Sequence, residues 1–242
     1  YVILERIAAG FVRAWMLKND VQTAIQVGQE AIARFPDSYS VWVALTNARL
    51  LNREQLTAEE IPVAFRDKSG AWQLLASSMA GAGDDEGAVG AIRTAMEQSD
   101  SSIFILENYL RFVLRLATAN PFHVNTRSQP QDRRALILDA ISKFDDREGV
   151  LWAEQSPRTK TEIVFHLAYA HLLLSEPAEA LSMIEAGRQR GVPQDELTVR
   201  VELEALCDLQ RHSDAVACCA DRVEPLSDEA RVVFGQACEV FV

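Results

Sequence analysis

Apolar residues recur along this chain at three- and four-residue intervals, with short polar or glycine-bearing breaks between the runs. That is the period of one face of an α-helix, and it predicts helices from end to end. The stretch from residue 69 to 100 shows it most cleanly. Trp72, Leu75, Ala76 and Met79 share one face of a first helix, and Ala88, Ile92 and Ala95 mark the matching face of a second. Between them the run GAGDDEG breaks the pattern. Gly81 and Gly83 end the first helix there, and Asp84 or Asp85 caps the next one. Small residues at Ala76, Ala88 and Ala95 let the two backbones close in, while Trp72, Leu75, Met79 and Ile92 fill the remaining space.

The same unit recurs with damage. In residues 1–36, Leu4, Ile7, Ala8, Phe11, Val12 and Trp15 form the expected first stripe. Ala24, Gly28 and Ala31 form the second, with Asn19-Asp20 as the turn and Pro36 as the stop. Residues 37–68 open with Trp42 and Leu45 at the offsets of Trp72 and Leu75. Their second half carries Pro62 where a helix is expected, and the capping-box pair Thr57 and Glu60 predicts a short helix over about 58–66. Residues 101–147 hold an apolar helix with Leu106, Tyr109, Leu110 and Val113, a long linker over roughly 120–134, and a second helix containing Ala140. After an irregular connection with Trp152 and Pro157 come units with Val164, Leu167, Ala168, Ala180, Ile184 and Gly187, and then Val199, Leu203, Leu206, Ala215 and Cys219. A last helix from Ser227 runs to Val242.

This pattern, W-x2-L-A-x2-M followed by A-x3-I-x2-A, resembles the tetratricopeptide repeat (TPR), a helix–turn–helix unit of about 34 residues. The resemblance implies an all-α, right-handed α-solenoid of about six antiparallel helix pairs plus a terminal helix. The whole of residues 1–242 is then one solenoid, expected to be part of a longer multidomain protein, with irregular insertions near 52–68, 119–134 and 148–160. It also implies a protein–protein interaction scaffold that binds a protein or peptide in the concave groove lined by first helices, as the recognition or sensor part of a larger protein. The alternative is a structural spacer or oligomerisation arm, such as the TPR part of a bacterial envelope secretion protein. The irregular repeats lead us to expect a bacterial source.

Mapped onto this sequence, the groove-facing offsets of that family are Arg6, Arg13, Asn47, Gln73, Ser77, Glu107, Arg111, Arg115, Glu162, Tyr169, Arg200 and Glu204. The long linker adds Arg127, Arg133 and Arg134 as a basic contact region, or as a plain surface loop. Chaperone-binding members of the family grip a C-terminal carboxylate with a Lys and Asn clamp. The matching places here hold Ala9, Arg13, Ala44, Gly70 and Leu74, so the clamp is absent.

Charge and cysteine content narrow the partners. Arg and Lys number 24 against 35 Asp and Glu, a net charge of -11. A phosphate backbone needs a basic stripe, so nucleic acid is not the expected ligand. A protein or peptide with an acidic or aromatic segment suits the local arginines better, and the apolar chain ends lead us to expect self-association through Phe241 and Val242. No apolar run reaches the roughly 20 residues of a membrane span. The four cysteines, Cys207, Cys218, Cys219 and Cys238, lack metal-ligand spacing and read as small buried thiols. Free thiols favour the cytoplasm, or the periplasm if the parent is an envelope protein. Glu162, His166 and His171 do not reproduce H-E-x-x-H. No nucleophile elbow, P-loop or dinucleotide fingerprint occurs, so we expect no enzyme, no cofactor and no metal.

Overall fold

The computed structural model describes residues 2–98, 102–118, 130–145 and 155–220. Their regular structure is helical: α1 (Val2–Leu17), α2 (Val21–Arg34), α3 (Tyr39–Leu51), α4 (Ser69–Gly81), α5 (Asp85–Glu97), α6 (Ile103–Thr118), α7 (Pro130–Asp145), α8 (Pro157–Leu173), α9 (Pro177–Gln189), α10 (Glu196–Asp208) and α11 (His212–Ala220). The chain divides into two compact units, Tyr1–Phe112 and Val113–Val242. In the first unit, α1, α2 and α3 pack on one another and α4 packs on α5; in the second, α8, α9 and α10 pack mutually and α11 packs on α10.

One register governs the turns. Asn19, Arg53, Gly83, Ser175 and Gln210 all have positive φ, between 57° and 85°. Each stands two residues beyond the end of a first helix, in α1, α3, α4, α8 and α10. The reversal between paired helices demands the left-handed conformation there, whatever the side chain. Side chains cap two of the helices that follow, α2 and α5, and two first helices, α8 and α10. Asp20 accepts from the Thr23 amide at 3.1 Å, Asp84 from the Gly87 amide at 2.8 Å, and Ser156 and Asp195 cap α8 and α10. The two bonds from Thr23, its amide first, hold the half-buried Asp20 carboxyl below its ordinary pKa.

The small residues sit where the helices close. Ala76, Ala88 and Ala95 are fully buried, as the spacing predicts. A Cβ on Gly28 would stand 2.9 Å from Leu45 Cδ1, and one on Gly187 2.9 Å from Val164 Cγ2. So α2 approaches α3, and α9 approaches α8, so closely that a side chain at either glycine would have to displace its neighbour.

Three expectations need correction. The short helix over 58–66 is instead two 3-10 turns, Ala58–Glu60 and Val63–Phe65. Pro62 cannot supply the amide an α-helix needs there. The capping box of Thr57 and Glu60 is present, and Leu56, Ile61 and Phe65 are buried in place of a second-helix stripe. Phe65 packs with Tyr39 and Trp42, and the Leu56 amide donates to Ser78 Oγ at 2.8 Å. The linker expected over 120–134 ends earlier, because α7 starts at Pro130, a residue preset for the first helical turn. Leu4, Ile7 and Phe11, expected in the packing stripe of α1, are exposed (55%, 49% and 58%), because the helix packs through one flank of that stripe, with Ala9 and Val12 buried and Ala8 and Trp15 packed beside them. Arg127, Trp152, Cys238, Phe241 and Val242 lie outside the described residues, as does the last helix expected from Ser227.

Candidate functional site

In the second unit the sequence-derived positions of two first helices come together. Tyr169 on α8 feels the charges of both Glu204 and Arg200 on α10; its phenol is raised above its ordinary pKa by burial first, then by Glu204. Arg200 Nε donates to Glu204 Oε1 at 3.0 Å. One turn before Tyr169 stands Phe165, its ring parallel to the tyrosine at 5.9 Å. Glu162, one turn further back, pairs with Arg158 at 3.0 Å. Phe165, Tyr169, Arg200 and Glu204 are all half-buried. The arrangement is an aromatic ledge beside a carboxylate–guanidinium pair, with one wall on each helix.

Phe165 was not among the residues mapped from the sequence. The signal for it was there: it occupies the same place in its helix pair as Gln73 and Arg200 do in theirs. Its ring is apolar where the groove offsets predict polar side chains.

The other mapped residues are more scattered. Arg6 and Arg13 are exposed on α1. Asn47 Nδ2 is spent on its own helix, donating to the Val43 carbonyl at 2.9 Å. Gln73 and Ser77 are half-buried on α4, where Ser77 lines a cleft of about 290 Å³ with Arg53, Glu54 and Gly81. Glu107 is buried (5%) and so does not lie on an exposed face. The reason is that α6 is enclosed nearly all round, with Leu106, Tyr109, Leu110, Phe112, Val113 and Leu116 also buried. Arg111 and Arg115 are exposed on α6; Arg111 hydrogen-bonds Asn108 and lies over the Phe112 ring at 5.2 Å.

Arg133 and Arg134 are helical residues of α7 rather than loop residues. Arg134 donates to the Leu174 carbonyl at 2.8 Å and pairs with Glu176 at 3.0 Å, so it ties α7 to the turn between α8 and α9. His171 also meets Glu176, at 3.1 Å. These contacts are structural. Cys207 is a free thiol raised above its ordinary pKa by burial, then by Asp208 and Glu204, the opposite of what a reactive thiolate requires. Among the described residues no group of three His, Cys, Asp or Glu could hold a metal ion, and no helix is long and apolar enough to cross a membrane.

No family model matches the chain, and no curated protein matches it. Solved structures do. A chain in the crystal structure of the APC/C hetero-tetramer Cut9-Hcn1 superposes with a TM-score of 0.64 at 10% identity, over 95% of this chain and 42% of that one. The structure of Naa15/Naa10 bound to HypK-THB gives 0.35 at 16% identity, over 97% and 39%. The P58(IPK) TPR domain gives 0.37 at 12%, over 98% and 65%. The last two scores are too low to carry weight. The chain spans less than half the length of the first, and at that identity the likeness concerns fold alone. The fold is an all-α solenoid of tetratricopeptide-like helix pairs.

Proposed function

We propose that this chain is a protein-binding scaffold that holds a segment of a partner protein against the face formed by α8 and α10. The observation that carries the reading is the stacked Phe165–Tyr169 pair set beside the Arg200–Glu204 pair, all four half-buried on adjacent first helices. Rigid aromatic rings give contact area at small entropic cost, and a guanidinium matches a carboxylate as a fork. Arg200 and Glu204 are a half-buried i,i+4 pair on one helix, a type worth only about 0.3–0.5 kcal/mol. An incoming carboxylate can therefore take over the guanidinium at little cost. The partner segment is acidic and aromatic, and the net charge of -11 disfavours nucleic acid in its place.

A peptide library displayed against the immobilised chain tests this. Enriched peptides carry acidic and aromatic residues together. Tyr169→Ala and Arg200→Glu each weaken their binding at least tenfold, about 1.4 kcal/mol; the melting curve of Arg200→Glu barely moves, while Tyr169→Ala, whose ring also packs against the core of this unit, melts a few degrees lower but remains folded at the assay temperature. Peptides that bind both variants as tightly as the parent would exclude this face.

A further inference from the structure

Ser78 on α4 is 6% exposed, and its Oγ accepts from the Leu56 amide at 2.8 Å. Its own O–H donates to no acceptor among the described residues, not even to the carbonyl one turn back that a helical serine can use. A buried hydroxyl left in this state costs free energy, so the missing acceptor calls for an explanation. Ser78 lines the cleft of about 290 Å³ beside the end of α4.

The cleft exists because the second pair has no second α-helix. In the first pair α2 starts at Val21, and Gln22 in its opening turn reaches Asn52 at the end of α3, at 3.0 Å. Leu56 holds the place of Gln22, each lying three residues beyond a residue of positive φ, Arg53 and Asn19. Residues 54–57, however, form no helix. A single run of chain is thinner than a helix, and the space it leaves opens between Arg53, Gln55 and the Ser77–Ser78 side of α4.

Donors are in surplus there. The last carbonyls of the two helices are taken by turn amides. Asn52, Arg53 and Glu54 donate to Ala48, Leu50 and Arg49, while Ala82, Gly83 and Asp84 donate to Ser78, Ala80 and Met79. Glu54 also lines the cleft, but both its oxygens are engaged: Arg49 Nε donates to Oε2 at 2.8 Å and Asn52 Nδ2 to Oε1 at 3.0 Å. The Arg53 guanidinium and the Ser77 hydroxyl have no partner among the described residues. Two hydroxyls and an unmatched positive charge therefore line one small cleft.

We infer that this cleft is a socket for a carboxylate side chain, an aspartate or glutamate on an extended segment of a partner protein. Arg53 supplies the opposite charge, and the Ser77 and Ser78 hydroxyls donate to the carboxylate oxygens. Leu50 and Ala82 in the lining take the methylenes. A volume of about 290 Å³ lies at the small end of ligand pockets, which suits one side chain and not a helix. Leu51, 58% exposed and next to Leu50 in the chain, gives a segment an apolar foothold that a free anion cannot use. The inference rests on the reading of the chain as a protein-binding scaffold, but on none of the residues of the α8–α10 face.

The test is an amide-shift titration of the full chain with a short alanine-based peptide, acetylated and amidated at its ends, whose one charged residue is glutamate. Resonances of residues 50–56 and 77–82 move and saturate. The same peptide with glutamine binds at least about tenfold more weakly, as expected for loss of hydrogen bonds to a charged group. Arg53→Gly weakens the glutamate peptide by a similar factor, while its melting temperature holds or rises, because φ of 62° is a conformation glycine adopts without strain. Ser77→Ala also weakens binding and leaves the fold intact. No movement of these resonances, equal binding of the two peptides, or undiminished binding by Arg53→Gly overturns the inference. So does succinate moving the same resonances as tightly as the peptide, which would give the cleft to a free anion. Arg200→Glu leaves this titration unchanged, so the two readings fail separately.

Discussion

Leu75→Ala lowers the unfolding free energy by about 2–5 kcal/mol, the range for truncating a large aliphatic side chain in a closed core. Phe11→Ala, at the same place in its own helix pair, changes it by less than about 1 kcal/mol. Side-chain type alone would rank them the other way, since phenylalanine loses more atoms. Burial reverses the order: Leu75 is 1% exposed and Phe11 58%. Urea titrations of the two variants check this, and the midpoints should separate clearly with similar slopes. Equal losses would mean that the register aligning α1 with α4 is wrong.

Gly28→Leu is the second large effect. The first carbon added at that position already falls 2.9 Å from Leu45 Cδ1 and 3.1 Å from Leu45 Cβ. The leucine tip can rotate away, but its Cβ is fixed by the α3 backbone, whose Cα is only 3.4 Å off. The helices must part, and overpacking of this kind costs about 1–3 kcal/mol. Against that, removing a glycine from a helix interior returns roughly 0.5–1 kcal/mol, so a net loss centred on about 1 kcal/mol, and up to about 2.5 kcal/mol, remains. Gly90→Ala supplies the contrast. It lies mid-helix in α5 with nothing within 4 Å of the added carbon, so only the helical gain applies and the melting temperature rises. A Gly28→Leu variant as stable as the parent would show that α2 and α3 do not approach this closely.

Most of the helices were legible because apolar spacing and polar caps agree, as in Asp20 before α2 and Asp84 before α5. The failures have separate causes. Periodicity locates apolar faces but cannot say which of them has a neighbour, so Leu4, Ile7 and Phe11 read as core. The converse error put Glu107 on an open face, because a helix enclosed nearly all round buries polar residues along with the rest. Arg53, Ser175 and Gln210 give no hint of left-handed backbone; the demand comes from the reversal between paired helices. At the candidate site, the offsets located Tyr169, Arg200 and Glu204, while their convergence and the stacking of Phe165 required the packing of α8 on α10.

Backbone amide shifts of the chain, recorded with and without a peptide selected from the library, would locate the bound segment. Binding at the proposed face moves resonances of residues 162–169 and 200–204 and leaves those of α1, α2 and α5 in place. Shifts concentrated on α1, or on α9 and α11 with α8 and α10 unmoved, would contradict it.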